Sequence, residues 1–552
     1  MNLTPVMRKT EDPAAGALPG QGQTAGAAAP RPGLVAFTGT GPGDTGLLTL
    51  RAAELLGQAS LVIGSPDLNR RVAHLVASSA TVLEAGQAGT DSGALISAAR
   101  AGQIVVRLCP GDPLLSGGAT AEADACAQAA VPLEIVPGMP AATAVAAYAG
   151  LPLTSDATPD LRVVHASELS RASAEFQAAA GSLVILGAEA GPADLAKMLL
   201  AAGWADATPM AITWNGTTTD QHTVLTKLSS VAADLKAAGV SVLTEDGPAV
   251  AVVGESAAHR GLSWFENKPL FGWRVLVPRT KEQAASVSER LRSYGAVPQV
   301  VPTIAVEPPR APQQMERAIK GLVTGRFQWI AFTSANAVRA VREKLEEYGL
   351  DARAFAGIKV AAVGEQTAAA LGEFGIKPDL VPEAEQSSEG LAAAWPPYDD
   401  VLDPINRVLL PRADIATETL VARLTDLGWE TEDVTAYRTV RAAPPPAPIR
   451  EAIKGGGFDA VLFTSSSTVR NLIGIAGKPH AVTAVAVIGP QTAQTAAEYG
   501  LRVDVTAPRP SATALVDALA EHGARLRDAA LAAGEPVRRP SERRRGARRR
   551  IR

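Results

Sequence analysis

The chain has 552 residues, a formal net charge of −4, 47% hydrophobic residues and only 4% aromatic ones. That length allows about three or four domain-sized units. No apolar run reaches the roughly 18–20 residues that a bilayer span needs, and the opening MNLTPVMRKTEDPAAG lacks the charged-then-apolar order of a secretion signal. Two cysteines, Cys109 and Cys126, argue against a disulfide framework, and six scattered histidines argue against a metal site. A cytoplasmic protein without a resident metal is the expectation.

Residues 1–32 are rich in Ala, Gly, Pro and Gln without periodicity and read as a disordered leader. Ordered sequence begins at Gly33. GLVAFTGTGPGD is a strand running into a Gly/Pro loop, LLTLRAAELLGQA is a helix, and SLVIGS is the next strand. Further strands are expected at Ile104–Leu108, Leu133–Gly138, Leu161–Ala166, Ser182–Gly187, Thr208–Trp214 and Pro248–Gly254. Helical patterns separate most of them, which predicts an α/β fold with largely parallel strands. The aromatic-dense LSWFENKPLFGW (Leu262–Trp273) follows neither period and reads as a linker.

The second half repeats itself. VLVPRT (Val275–Thr280) returns as VLLPRA (Val408–Ala413), FTSANAV (Phe332–Val338) as FTSSSTV (Phe463–Val469), and AVGEQTAAAL (Ala362–Leu371) as VIGPQTAQTA (Val487–Ala496). The copies lie about 125–133 residues apart, too far for a solenoid and suited to a duplicated α/β lobe. Each phrase is a buried strand feeding small hydroxyl or Gly residues and then a helix start. Two such lobes would face each other across a cleft lined by hydroxyls and backbone N–H, fit for a polyanion. The Pro-marked segments PTIAVEPP (Pro302–Pro309) and YRTVRAAPPP (Tyr437–Pro446) place the chain's two crossings between lobes, which side by side would form a hinge. Residues 538–552 are mostly Arg. Without interleaved aromatics they read as a solvated tail rather than a nucleic-acid arm.

GTGPGD (Gly39–Asp44) alone does not decide between a tight turn and a ligand loop, and it lacks the dinucleotide fingerprint's third Gly. It is followed in order by VVRLCPGDPLLSG (Val105–Gly117), VPGMPAATAVAAYAGLPLT (Val136–Thr154), TWNGTTTDQ (Thr213–Gln221) and PAVAVVGE (Pro248–Glu255). Together these resemble the tetrapyrrole methylase family, in particular its uroporphyrinogen-III C-methyltransferase branch, over about Gly33–Arg260. The resemblance implies a two-subdomain fold, S-adenosyl-L-methionine as cofactor and a capacity to dimerise. It places cofactor contacts at Pro42, Pro110, Gly111, Asp112, Leu115, Pro140, Ala141, Leu186 and Gly216. Small residues there let backbone approach the ligand. Asp112 has a second reading as a helix N-cap.

The departures carry weight. Gly64-Ser65-Pro66 stands where the family has Tyr-Asp-x, so Ser65 takes the acidic position. Gln87, in AGQAG (Ala85–Gly89), takes the position of a Lys. Pro110-Gly111-Asp112 replaces Gly-Gly-Asp, and Leu186 replaces a strand-end Met. Methylating a pyrrole carbon needs a proton removed, and Ser with Gln does not replace an Asp/Lys pair near neutral pH. Two readings follow: a working methyltransferase giving precorrin-2, with Asp67 a substitute group, or a domain that keeps fold and ligand binding but little activity.

The repeat region resembles uroporphyrinogen-III synthase over about Lys268–His522, through RVLVPRT, FTSANAV, AVGEQTAAAL, SSEGL (Ser387–Leu391), VLLPRAD, AYRTV, FTSSSTV and VIGPQTA. That resemblance implies closure of hydroxymethylbilane to uroporphyrinogen III with inversion of the last ring, without a cofactor. An octacarboxylate substrate suits Thr333, Ser334, Thr464, Ser465 and Ser466 at strand ends, and Arg279 and Arg412 at matching places in the two lobes. The two arginines otherwise read as ion pairs or strand-end caps. Thr367 and Thr492 read as substrate contacts, helix caps or both. Tyr437 matches a Tyr with the role of acid to the leaving hydroxyl, its alternative being a Tyr that packs in the inter-lobe strand. The expected architecture is thus leader 1–32, methylase-like domain 33–262, linker 263–273, synthase domain 274–525 (lobe one about 274–305 and 440–525, lobe two about 306–439) and a disordered tail 526–552. A bilobal tetrapyrrole-binding sensor or carrier is the competing reading from another class.

Overall fold

The computed structural model describes residues 33–86, 92–115, 119–156, 158–169, 181–238, 248–259, 261–383, 385–415 and 418–543. The expected leader, Gln87 and the last nine arginine-rich positions lie outside them. The chain divides after Trp264 into two units. No helix among the described residues is long and apolar enough to cross a membrane.

The first unit holds two sheets. Strands β1 (Leu34–Gly39), β2 (Leu61–Gly64), β3 (Thr81–Glu84), β4 (Ile104–Cys109) and β5 (Leu133–Val136) form a sheet of order β3-β2-β4-β1-β5. All its pairings are parallel. Its central strands are apolar on both faces because helices cover both sides. Strands β6 (Leu161–His165), β7 (Ser182–Leu186), β8 (Pro209–Trp214), β9 (His222–Lys227) and β10 (Ala249–Val253) form the second, of order β6-β7-β10-β8-β9. Only β6–β7 is parallel there. The pairs β7–β10, β10–β8 and β8–β9 are antiparallel, which corrects the expectation of largely parallel strands. Both β3 and β9 are edge strands with exposed positions and no apolar run, so the sequence pattern passed over them.

The second unit holds the two lobes. Strands β11 (Arg274–Val277), β12 (Val297–Val300), β13 (Ile304–Glu307), β14 (Trp329–Phe332), β15 (Lys359–Ala362), β16 (Arg407–Ala413), β17 (Glu430–Arg441), β18 (Ala460–Phe463), β19 (Ala484–Val487) and β20 (Val505–Thr506) make two sheets. Lobe one has the order β12-β11-β18-β19-β20 and lobe two β13-β17-β16-β14-β15. Both are parallel except where β13 meets β17, with Ile304 opposite Arg441 and Glu307 opposite Arg438. Those two antiparallel strands are the chain's outward and return crossings. Serine and threonine at strand ends cap the following helices: Thr280, Ser334, Ser465 and Ser511 each accept a backbone N–H three residues on. Each such cap stabilises by about 1 kcal/mol.

Two sequence expectations change at the edges of this unit. The segment 263–273 is not a free linker, since Leu270 and Trp273 are buried in the lobe-one core and Phe265 packs edge-on against Phe271 at 5.2 Å. Its aromatics fill gaps at a sheet end, a job that needs no periodicity. Nor does an unstructured tail begin at 526. The helix Ala512–Ala532 continues through that point. Beyond it, Arg539 donates to the Gly272 carbonyl at 2.5 Å, and the Ser541 N–H donates to Asp459 at 2.9 Å. Asp459 is fully buried and also accepts from the Arg274 N–H at 2.8 Å. A buried carboxylate needs such donors, and part of them comes from this last segment.

Candidate active sites

In the first unit the motif loops converge at the ends of the parallel sheet. The Gly41 and Gly111 backbones bridge each other, and Asp112 accepts from the Leu114 and Leu115 N–H at 3.0 and 3.1 Å and from the Gly138 N–H at 3.2 Å. The approach is as close as backbone allows. A Cβ on Gly138 would lie 2.1 Å from the Gly111 carbonyl oxygen, and one on Gly216 would lie 2.5 Å from the Val145 methyls. Asp112 is therefore a loop organiser. The expected alternative, a helix N-cap, does not hold: the next helix begins at Thr120 with Ala119 as its cap. Pro140 precedes the helix Ala141–Tyr148, Leu186 ends β7 and Leu115 is exposed. Pro42 and Pro110 stand on the two loops that meet at the Gly41–Gly111 bridge.

The second sheet contributes the loop after β8. Asn215 and Thr217 both have positive φ, 49° and 68°. Asn tolerates this region, whereas it strains a β-branched Thr. Three bonds hold the loop: Thr217 N–H to Gln221 Oε1 at 2.8 Å, Asn215 N–H to the Pro248 carbonyl at 3.0 Å, and Asp44 N–H to Thr217 Oγ1 at 3.0 Å. The Asp44 carboxylate accepts from the Tyr148 hydroxyl at 2.8 Å. Burial, then this carboxylate, raise the Tyr148 pKa above its ordinary value. Tyr148 packs edge-on against Trp264 at 5.1 Å. Asp44, Tyr148 and Thr217 lie within the quoted motifs, but no spacing links them, so sequence reasoning missed the cluster.

The position of the family acid is committed elsewhere. The Ser65 hydroxyl accepts from the Leu68 N–H at 3.4 Å and caps the helix Pro66–Val72. Asp67, the suggested substitute, pairs with Arg71 and, at 3.7 Å, with Arg70 on that helix's exposed side. The glycines let these loops pack backbone to backbone, which brings Pro42, Pro110 and Asp112 together at the sheet ends.

In the second unit a cavity of about 620 Å³ opens beside the crossing strands, walled by Thr280 of lobe one and by Met315, Asn336, Arg339 and Tyr437 of lobe two. Tyr437 is buried, and its hydroxyl lies 3.0 Å from the Ser334 hydroxyl, which also caps the helix Ala335–Glu347. The structure thus brings together two residues that stand 103 positions apart in sequence. Thr333 and Thr464 sit half-buried at the ends of β14 and β18, with hydroxyls that make no hydrogen bond among the described residues. Ser465 is taken up by its cap and by Ser467 at 2.8 Å. Ser466 accepts from Thr495 at 2.9 Å and donates to the Gln491 carbonyl at 3.2 Å, tying two helices together. Thr367 and Thr492 are buried third residues of helices whose caps are Gly364 and Gly489, so they are not N-caps. Neither hydroxyl has a partner among the described residues.

The two matching arginines part company. Arg412 is buried and forms a two-pronged pair with Asp433 across β16 and β17, with Glu418 at 3.6 Å. The Asp433 carboxylate, ahead of the cost of burial, holds its pKa above the ordinary value. Its ion-pair reading is realised, and a substrate carboxylate would have to displace Asp433. Arg279 is half-buried with no carboxylate beside it among the described residues, and burial pulls its pKa down. Arg412→Ala is expected to lower stability by about 2 kcal/mol, less than for a fully enclosed pair because Asp433 is partly solvated. Arg412→Met should lower it less. A thermal melt showing no change in either variant, with weakened substrate binding instead, would return Arg412 to the site.

Fold and sites together define a class: a domain of two five-stranded sheets with glycine loops packed backbone to backbone, followed by a bilobal domain with a cavity beside its crossing strands. Residues 285–517 match the family model of uroporphyrinogen-III synthase HemD, and residues 35–232 that of tetrapyrrole (corrin/porphyrin) methylases. The porphyrin biosynthesis protein HemD of Ruminiclostridium josui is 30% identical over 510 residues, 89% of this chain and 98% of that protein. The chain belongs to this HemD family of porphyrin biosynthesis, as a synthase domain C-terminal to a methylase domain. Siroheme synthase 1 of Klebsiella pneumoniae is 32% identical over 249 residues, 43% of this chain and 51% of that protein, so the chain spans about half its length. A solved uroporphyrin-III C-methyl transferase of Thermus thermophilus, complexed with S-adenyl homocysteine, is 28% identical over 41% of this chain and 98% of that chain, with a TM-score of 0.33.

Proposed function

We propose that the second unit closes hydroxymethylbilane into uroporphyrinogen III with inversion of ring D, and that Tyr437 is its acid. The observation that carries this is the buried Tyr437 hydroxyl, held by Ser334 at the wall of the cavity. The phenol gives its proton to the terminal hydroxyl as the carbon–oxygen bond breaks, water leaves, and an azafulvene cation remains. Attack by the substituted α-carbon of ring D gives a spiro intermediate. Its older bond to the bridge carbon of the preceding ring breaks, and the free α-carbon of ring D bonds to that bridge carbon. Loss of the proton from this α-carbon restores the pyrrole and balances the proton Tyr437 gave. The lobes hold the chain in the one shape that permits this. Arg279, Thr333, Thr464, Thr367 and Thr492 have groups free to meet substrate carboxylates, and the capped helix starts add backbone N–H.

The first unit we read as an S-adenosylmethionine-binding domain without a working acid/base pair. Pro42, Pro110, Gly111, Pro140, Ala141, Leu186, Gly216 and the Asp112–Leu115 turn would hold the cofactor, which supplies an electrophilic methyl group when bound. What supports silence is Ser65 acting as a helix cap and Asp67 lying in surface ion pairs. Incubation with hydroxymethylbilane and methyl-labelled S-adenosylmethionine tests both halves. The expected product is unlabelled type III isomer, with cofactor binding still seen by calorimetry. Labelled type III would restore methyl transfer, and only the spontaneous type I isomer would remove the synthase reading in favour of a carrier.

A further inference from the structure

The charged groups on the cavity wall are unevenly paired. Lys344 is held between Glu347 at 2.9 Å and Glu316 at 3.6 Å, and Glu307 pairs with Arg438 at 2.6 Å. Arg339, on the same wall, is exposed and has neither an ion pair nor a side-chain hydrogen bond among the described residues. It belongs to the helix that Ser334 caps, and it shares a helical face with Asn336 and Glu343, three and four residues away. Tyr437 lines the same cavity. An unengaged guanidinium on the wall of a cavity that a positioned phenol also lines is placed to take an anion. Its planar fork matches a carboxylate in two parallel bonds.

We propose that Arg339 binds an acetate or propionate arm of the linear tetrapyrrole. The inference rests on the synthase reading above. Glu343, one turn further along the same face, opposes the same arm and limits how tightly it is held.

The experiment is steady-state turnover of hydroxymethylbilane by the full chain, together with quenching of uroporphyrin III fluorescence on binding. Arg339→Ala is expected to raise KM about tenfold while kcat stays within about twofold, since the arm is held equally before and during the chemistry. Arg339→Lys should recover part of the loss, because it keeps the charge without the fork. Glu343→Gln should lower KM. Added salt should weaken uroporphyrin III binding more in the parent chain than in Arg339→Ala. Arg339 is exposed, so the melting temperature of the variants should match the parent. An active parent chain whose Arg339→Ala variant keeps the same KM and the same porphyrin affinity overturns this inference and leaves the synthase reading standing. A parent chain that neither consumes hydroxymethylbilane nor binds uroporphyrin III overturns both.

Discussion

Tyr437→Phe is expected to lower kcat for type III product by about a hundredfold, the lower end of what a positioned acid contributes. The change removes one oxygen and leaves the ring in its packing. The folded state loses the bond to Ser334, a cost of about 1 kcal/mol. Chemistry should therefore fall far more than stability. Substrate that escapes the slowed enzyme closes spontaneously, so the type I share of product should rise. Isomer-resolved chromatography reads both effects from one reaction. Unchanged turnover would reduce Tyr437 to a packing residue of the lobe-two core. Ser334→Ala is the companion: it keeps the phenol, loosens its aim and removes a helix cap.

Gly138→Ala should have the largest effect on the first unit. The added carbon would meet the Gly111 carbonyl oxygen at 2.1 Å and Gly39 backbone atoms at 2.8 Å. These are main-chain atoms at sheet ends and have no rotamer to turn away. Overpacking of this kind costs about 1–3 kcal/mol or more. The relief is separation of the loops carrying Pro42, Pro110 and Asp112. Calorimetric binding of S-adenosylmethionine should vanish, while turnover of hydroxymethylbilane by the second unit continues. Retained cofactor binding at the parent's affinity would show that these loops are not the cradle.

Much of the architecture was legible because buried parallel strands write themselves as short apolar runs, and duplicated lobes write them twice. The Tyr437–Ser334 pair was legible residue by residue through the family resemblance, although its hydrogen bond was not. The two readings of Arg412, substrate contact or ion pair, could not be separated in the sequence because its surroundings depend on which strand lies beside β16. The register that brings Asp433 within reach belongs to strand pairing, not to local pattern. Arg279 holds the matching place without such a neighbour, so equal motifs acquired unequal roles. Asp44 and Tyr148 meet across 104 positions through loop packing alone. The alternation of the first sheet did not carry over to the second, where β8 and β9 form a hairpin instead of a crossover unit. Arg339 went unremarked because an arginine on a helix reads as an ordinary solvated charge until its wall and its paired neighbours are known.

The crossing strands also fix an order of assembly. Lobe two is one continuous stretch inserted into lobe one, so it can complete itself as it leaves the ribosome. Lobe one cannot: β11 has β18 as a neighbour, and Arg274 meets Asp459 across 185 residues of chain. Until that later segment is synthesised, β11 keeps an open hydrogen-bonding edge, the kind that invites pairing with a foreign strand. The nascent protein thus has a built-in waiting period, and conditions that slow elongation after lobe two should be those in which it aggregates.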